Sequence, residues 1–141
     1  MAKTKGASVA LVPPAAADGD AFTVTRNGLS YAGTHLLMEL WGTTGAGDPA
    51  LVERALSAAV LACGATLLHL HVARLAGGGV TGVAVLAESH ISLHAWPERG
   101  YVAVDVFLCG ALDPYAAVAP LRRALSPTRV QLSEFRRGIV T

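Results

Sequence analysis

Two Asp-Pro pairs, Asp48-Pro49 and Asp113-Pro114, most constrain how this chain can fold. Asp caps a helix well, and Pro at the first helical position gives up no donor that the helix needs. Each pair therefore marks a helix start, and each is preceded and followed by a strand-like stretch. Residues 33–41 alternate as a strand, with His35, Leu37 and Glu39 on one face and Leu36, Met38 and Leu40 on the other. The first helix is predicted to run to about Cys63, where Gly64 supplies a left-handed stop. Strands are predicted over 66–75, 80–88, 89–95 and 101–108, with 80–88 apolar enough to be buried and 77–79 as a turn. The second helix carries Val118, Leu121 and Leu125 on one face, ends at Ser126-Pro127, and is followed by a last strand over 129–135.

The recurrence of strand, Asp-Pro helix and strand reads as a β-α-β-β-α-β repeat in the α+β class. One mainly antiparallel sheet with both helices on one face, a two-layer sandwich, fits that order. The other face of such a sheet needs a cover, and a second subunit is the simplest one. With 141 residues, 52% of them hydrophobic, the chain suits a single domain. That domain is expected over residues 31–141. Residues 1–30, rich in Ala, Pro, Gly and Thr, read as a flexible extension in which 22–24 could add an edge strand. The formal net charge of +1 gives no reason to expect nucleic acid or an anionic membrane as partner. No run approaches the ~20 apolar residues of a membrane span, and the start is a poor secretory signal. A cytoplasmic setting is expected. Two cysteines make no disulfide framework, and Cys63 reads as a small buried hydrophobe.

The chemistry concentrates in residues 87–110. Ser89 follows Glu88 at a strand boundary, His90 and His94 lie four apart on one face of an extended chain, and Cys109 precedes Gly110. Alone, Ser89 would be an ordinary turn serine. With these neighbours, two chemistries fit. A histidine could activate Ser89 as a hydrolytic nucleophile, although the chain lacks a Gly-x-Ser-x-Gly elbow. Alternatively, Ser89 could attack the carbonyl of Glu88, giving an ester whose β-elimination and hydrolysis leave a pyruvoyl group. The second route needs a strained peptide and donors for the oxyanion.

The run Glu88-Ser89-His90-Ile91-Ser92-Leu93-His94-Ala95-Trp96-Pro97-Glu98 closely resembles the self-cleavage motif of the prokaryotic S-adenosylmethionine decarboxylases. The likeness continues through Gly100-Tyr101, Asp105, Phe107 and Cys109-Gly110, takes in Gly33-x-His35-Leu36, and covers about residues 31–137. The resemblance implies cleavage between Glu88 and Ser89, with Ser89 becoming the pyruvoyl group. It implies that His94 and Thr81 assist processing, that Cys109 returns a proton to the substrate carbon, and that Glu98 grips the ribose hydroxyls. Trp96 would pack beside the site, and active sites would form at the interface of a homodimer. Such a carbonyl forms a Schiff base with a substrate amine and acts as the electron sink that pyridoxal phosphate supplies elsewhere. Neither pyridoxal phosphate nor a metal is then expected, and the resemblance implies a small amino-acid-type substrate, S-adenosylmethionine, whose decarboxylation supplies an aminopropyl donor for polyamine synthesis.

The chain departs from the family pattern in places. Thr81 stands where serine is usual, Leu75 lies near a position often aromatic that stacks on adenine, Thr34 replaces a basic residue, and Phe135-Arg136-Arg137-Gly138 replaces a common Glu-Arg-Gly. These changes spare the reactive centre and are expected on the substrate side, which leaves arginine or ornithine as alternative substrates. A metal-dependent hydrolase using His90, His94 and Cys109, and a homologue that never cleaves and only binds or pairs, are the rival readings. The role of His90 stays open. His69 and His71 read as strand residues rather than ligands, and Gly77–79 lacks the Lys-Ser/Thr of a phosphate loop.

Overall fold

The computed structural model describes residues 22–140. Its strands are β1 (Val24–Arg26), β2 (Leu29–Trp41), β3 (Leu67–Arg74), β4 (Val80–Leu86), β5 (Ser89–Trp96), β6 (Tyr101–Cys109) and β7 (Arg129–Val140). Its α-helices are α1 (Pro49–Ala62) and α2 (Val118–Leu125). Every strand pairing is antiparallel, in the spatial order β7-β2-β6-β5-β4-β3. Strand β1 pairs with residues 29–31 of β2. Because β7 also pairs with Ser30 and Tyr31, β1 occupies the other edge of β2, in line with β6.

Both helices start as the Asp-Pro pairs dictate. The Asp48 carboxylate accepts from the Ala50 N–H at 3.0 Å, and Asp113 accepts from the Tyr115 N–H at 2.9 Å. Helix α1 closes at Cys63, and Gly64 follows at φ +65°. It buries Val52, Ala55, Leu56, Ala59 and Val60, one stripe at helical spacing. That stripe packs chiefly on β4 and β3 and also meets β5. It shares one buried core cluster with Leu36, Met38 and Leu40 of β2, Ile91, Leu93 and Ala95 of β5, and Val102, Val104 and Val106 of β6. Each fully buried Leu or Ile here contributes about 1.5–3 kcal/mol of transfer free energy. Gly82 in β4 lets α1 come close, since a Cβ there would sit 2.8 Å from Leu56 Cδ1.

The structure corrects four details. The second helix begins as a 3-10 turn over Pro114–Ala117 before α2. Pro120 has no N–H to give the Ala116 carbonyl, so an α-helical bond is missing there. Strand β4 is buried on one face alone, with Val85 40% exposed on the other. Strand β7 runs on to Val140, because β2 extends back to Leu29 and offers it an edge. Residues 24–30, expected within a flexible extension, form the β1-β2 hairpin; Asn27 and Gly28 take the positive φ values that such a turn requires. Residues 1–21 of that extension lie outside the described residues. Among the described residues, no helix is long and apolar enough to cross a membrane.

Candidate active site

The sheet face turned away from the helices carries a row of polar and aromatic side chains. Side chains on one strand face recur every second residue. On this open face β2 therefore presents His35, Leu37, Glu39 and Trp41; β5 presents His90, Ser92, His94 and Trp96; β6 presents Tyr101, Asp105, Phe107 and Cys109. Register then sets the neighbours. His35 and His90 flank Phe107, Leu37 and Ser92 flank Asp105, and Trp41 and Trp96 flank Tyr101.

Ser89 opens β5 immediately after a two-residue turn. Leu86 pairs with Ser89, so Ala87 and Glu88 are the turn residues. Two-residue hairpins favour positive φ inside the loop. Neither Ala87 nor Glu88 adopts it, and Ser89 instead sits at φ +132°. A non-glycine residue there stores strain on the order of 1–3 kcal/mol. The strain falls on the residue that follows the Glu88–Ser89 peptide bond. The Glu88 carbonyl accepts the Cys109 N–H at 2.9 Å. That donor is aimed where negative charge would develop if an oxygen attacked this carbonyl.

The turn is clamped from the start of β3. The Glu88 carboxylate accepts from the Thr66 N–H at 3.0 Å and from the Thr66 hydroxyl at 2.8 Å. The Thr66 carbonyl accepts the Ala87 N–H at 3.0 Å. The side chain of Glu88 is thus committed to holding the hairpin.

Beside Ser89 lies a polar network that the sequence reading did not assemble. Ser89 Oγ is 3.3 Å from His90 Nδ1. His90 Nε2 is 3.1 Å from Asp105 Oδ1, and His35 Nε2 is 3.0 Å from the same oxygen. Ser92 Oγ donates to Asp105 Oδ2. Half-burial alone would raise Asp105, but the hydrogen bonds from Ser92, His35 and His90 outweigh it and hold the carboxyl below its ordinary range. The ligand atoms of His35, His90 and Asp105 all lie within 4.8 Å of one another, close enough to share a cation. Burial, against a backbone hydrogen bond that lowers it and with a smaller push from the Glu88 carboxylate, holds the Cys109 thiol above its ordinary value, so it keeps its proton at neutral pH. Burial, with Asp113 next, pushes Cys63 up to about 11 within the core.

The expected site residues fall into two groups. Ser89, Glu88 and Cys109 meet at one end of the sheet. Thr81 and His94 are cross-strand partners at the other. His94 lies 4.4 Å from the Trp96 ring, and Trp96 stacks on Tyr101 at 5.2 Å. Glu98 is exposed in the 3-10 turn Pro97–Arg99 that follows, and Leu75 is exposed in the β3-β4 turn, its N–H bonded to the Gly79 carbonyl. Five residues at ~3.3 Å each put His94 roughly 16 Å from Ser89 along the strand. Within one chain His94 and Thr81 do not reach the Glu88–Ser89 bond. Thr34, expected on the substrate side, is buried on the helix side. His69 and His71 stack on each other at 6.3 Å on exposed β3.

The sequence assigns no role to His35 or Asp105 and leaves that of His90 open. The signal that could have found them is polar residues alternating on a strand otherwise apolar, as in His90-Ile91-Ser92-Leu93-His94. Which strand each would face was set by register alone.

Fold and site together define a two-layer α+β protein with a polar cluster on a sheet face that no helix covers among the described residues. The chain belongs to the S-adenosylmethionine decarboxylase family, which it matches over residues 34–138. It is 48% identical over 115 residues to the S-adenosylmethionine decarboxylase proenzyme of Methanococcus vannielii, covering 79% of this chain and 94% of that one. It is 44% identical over 110 residues to the proenzyme of the same name from Thermomicrobium roseum, covering 77% and 95%. The crystal structure of the adenosylmethionine decarboxylase from Aquifex aeolicus superposes with a TM-score of 0.68 at 35% identity, covering 77% of this chain and 92% of that one.

Proposed function

We propose that this chain cleaves itself between Glu88 and Ser89 and then decarboxylates S-adenosylmethionine, yielding an aminopropyl donor for polyamine synthesis. The observation that carries the reading is the strained Ser89, at φ +132°, next to a carbonyl already held by the Cys109 N–H. Both conditions for an attack by a side chain on its own backbone meet at this bond. The relatives described above bear the adenosylmethionine name, and none bears that of an arginine or ornithine decarboxylase.

The residues present fit the group that cleavage would create. A new chain start at position 89 would lie beside the protonated Cys109 thiol and the half-buried His90. A pyruvoyl group there would supply a carbonyl that takes up the substrate amine and accepts the electrons left when carbon dioxide departs. Cys109 then delivers a proton to the substrate carbon. Glu98 receives the ribose hydroxyls, and Trp96 and Leu75 offer apolar area to the adenine. No external cofactor is required by this scheme.

A homodimer completes the scheme. The open face exposes Val85, Trp96 and Phe135 together with the polar cluster, and a face of this kind is normally covered. Two copies meeting face to face about a twofold axis would bring one chain's Ser89 end to the other's His94 and Thr81 end. That arrangement explains why one chain separates by roughly 16 Å the groups that its family resemblance assigns to one reaction. The reading sets the enzyme in the cytoplasm, where the free thiols of Cys63 and Cys109 stay reduced.

The test is intact-mass spectrometry of the purified chain, followed by carbon dioxide release from carboxyl-labelled S-adenosylmethionine, arginine and ornithine. Two fragments divided at Glu88–Ser89 and release from S-adenosylmethionine alone are expected. A chain that stays whole, or one that releases carbon dioxide only from arginine or ornithine, would refute it.

A further inference from the structure

Consecutive residues of a strand point to opposite faces, so Ser89 and His90 should not meet. They meet because Ser89 leaves the extended region at φ +132°, which brings its Oγ within 3.3 Å of His90 Nδ1. The far side of the same ring is fixed. A carboxylate only accepts hydrogen bonds, so His90 Nε2 must carry a proton toward Asp105 Oδ1. In the neutral ring, Nδ1 is then a bare lone pair facing the serine hydroxyl. Asp105 itself is held by His35 on the same oxygen and by Ser92 on the other.

We propose that His90, oriented by Asp105, is the general base that takes the Ser89 hydroxyl proton as that oxygen attacks the Glu88 carbonyl. The assignment rests on the self-cleavage reading and gives the first step a residue within reach, which His94 of the same chain is not. The Ser89 O–H bond breaks and its proton moves to His90 Nδ1. The oxygen's electron pair forms a bond to the Glu88 carbon, and the carbonyl pair moves onto the oxygen held by the Cys109 N–H. The oxyanion's pair then re-forms the carbonyl, the carbon–nitrogen bond breaks with its electrons going to nitrogen, and the Ser89 nitrogen takes the proton from His90 as a free amine. The product is an ester between Glu88 and Ser89 Oγ. Asp105 acts through His90, by fixing its tautomer and stabilising the transient imidazolium, and is a positioning residue.

The experiment follows uncut chain over time by mass, with and without hydroxylamine, which cleaves an ester far faster than an amide. His90→Gln is expected to slow disappearance of the uncut chain by ~10²-fold or more, leaving an amide that hydroxylamine does not cut. Added imidazole should restore cleavage to His90→Ala. Asp105→Asn should slow the wild-type chain and add little in the His90→Gln background, because the two act as one unit. Because His90 lies outside the hydrophobic core, its replacement leaves the core of each chain intact, and size-exclusion chromatography of the variant checks that the dimer persists. Cleavage of His90→Gln at the wild-type rate would overturn the proposal. So would its arrest as a hydroxylamine-sensitive ester, which would move His90 to a later step. Loss without imidazole rescue and with additive Asp105→Asn would overturn it in favour of a structural role. Cleavage that stops with a chelator and returns with zinc would overturn it in favour of a metal on His35, His90 and Asp105. An uncut wild-type chain, by contrast, sinks the self-cleavage reading itself.

Discussion

At Cys109, burial and chemistry pull in one direction. Desolvation raises the thiol above its ordinary value, outweighing a backbone hydrogen bond that lowers it, and the Glu88 carboxylate adds a smaller push upward. A raised acid keeps its proton through neutral pH and loses it only when the pH climbs past that raised value. Turnover of the cleaved enzyme should therefore hold on the alkaline side to a pH above that of an ordinary thiol, then fall. Cys109→Ser, whose hydroxyl does not titrate there, should remove that limb and lower kcat by ~10²-fold; kcat against pH for both proteins checks this. Gly33 acts on the same residue through space. A Cβ at position 33 would lie 2.6 Å from the Leu108 carbonyl oxygen and 2.9 Å from Cys109 Cα, both rigid backbone. Gly33→Ala should cost about 1–3 kcal/mol in urea unfolding. It should also slow cleavage in a mass time course, because it pushes away the N–H that holds the Glu88 carbonyl.

Strain at one residue persists only if the element around it is held. The β4-β5 hairpin keeps Ser89 at its unusual φ because Thr66 grips both turn residues, Ala87 through its carbonyl and Glu88 through its N–H and hydroxyl. A hydrogen bond to a charged group contributes about 1.5–3 kcal/mol. Thr66→Val removes the hydroxyl and keeps the shape and the N–H. The expected outcome is self-cleavage slowed by roughly tenfold with circular dichroism unchanged. Wild-type kinetics in that variant would mean that the clamp does not hold the strain. The element scale is also where sequence reading went furthest. Both helix starts follow from Asp48-Pro49 and Asp113-Pro114, and the alternation over 33–41 gave the two faces of β2 correctly. The β1-β2 hairpin was hidden because its strand is three residues long and draws its order from pairing with β2. The 3-10 start of the second helix, over Pro114–Ala117, has no local signal in the sequence that separates it from an α-helical first turn.

At the scale of the whole molecule, the groups implied by the family resemblance lie at two ends of one uncovered face. If two copies complete each other's sites, the deficiency of one chain can be supplied by another. Chains carrying Ser89→Ala and His94→Ala should each stay uncut when produced alone. Produced together, the mixed dimer pairs the intact Ser89 of the His94→Ala chain with the intact His94 of its partner. A fraction of the His94→Ala chain should then be cleaved, read directly as fragment masses. No fragment from the pair, in mixed dimers isolated as such, would show that His94 serves its own chain and would sink the shared site.

Local chemistry is written in the sequence, and so it alone determined the helix starts, the alternating strands, the α+β class and the family resemblance carried by residues 88–98. Capping, proline geometry and side-chain alternation act over a few residues and need no knowledge of distant ones. The tertiary structure decided what depends on register and backbone angle. It placed Asp105 between His35 and His90, put the Cys109 N–H on the Glu88 carbonyl, and turned Ser89 toward His90 rather than His94. These contacts join residues that are distant along the chain, or neighbours whose meeting requires a φ of +132°, and no spacing rule in the sequence encodes either.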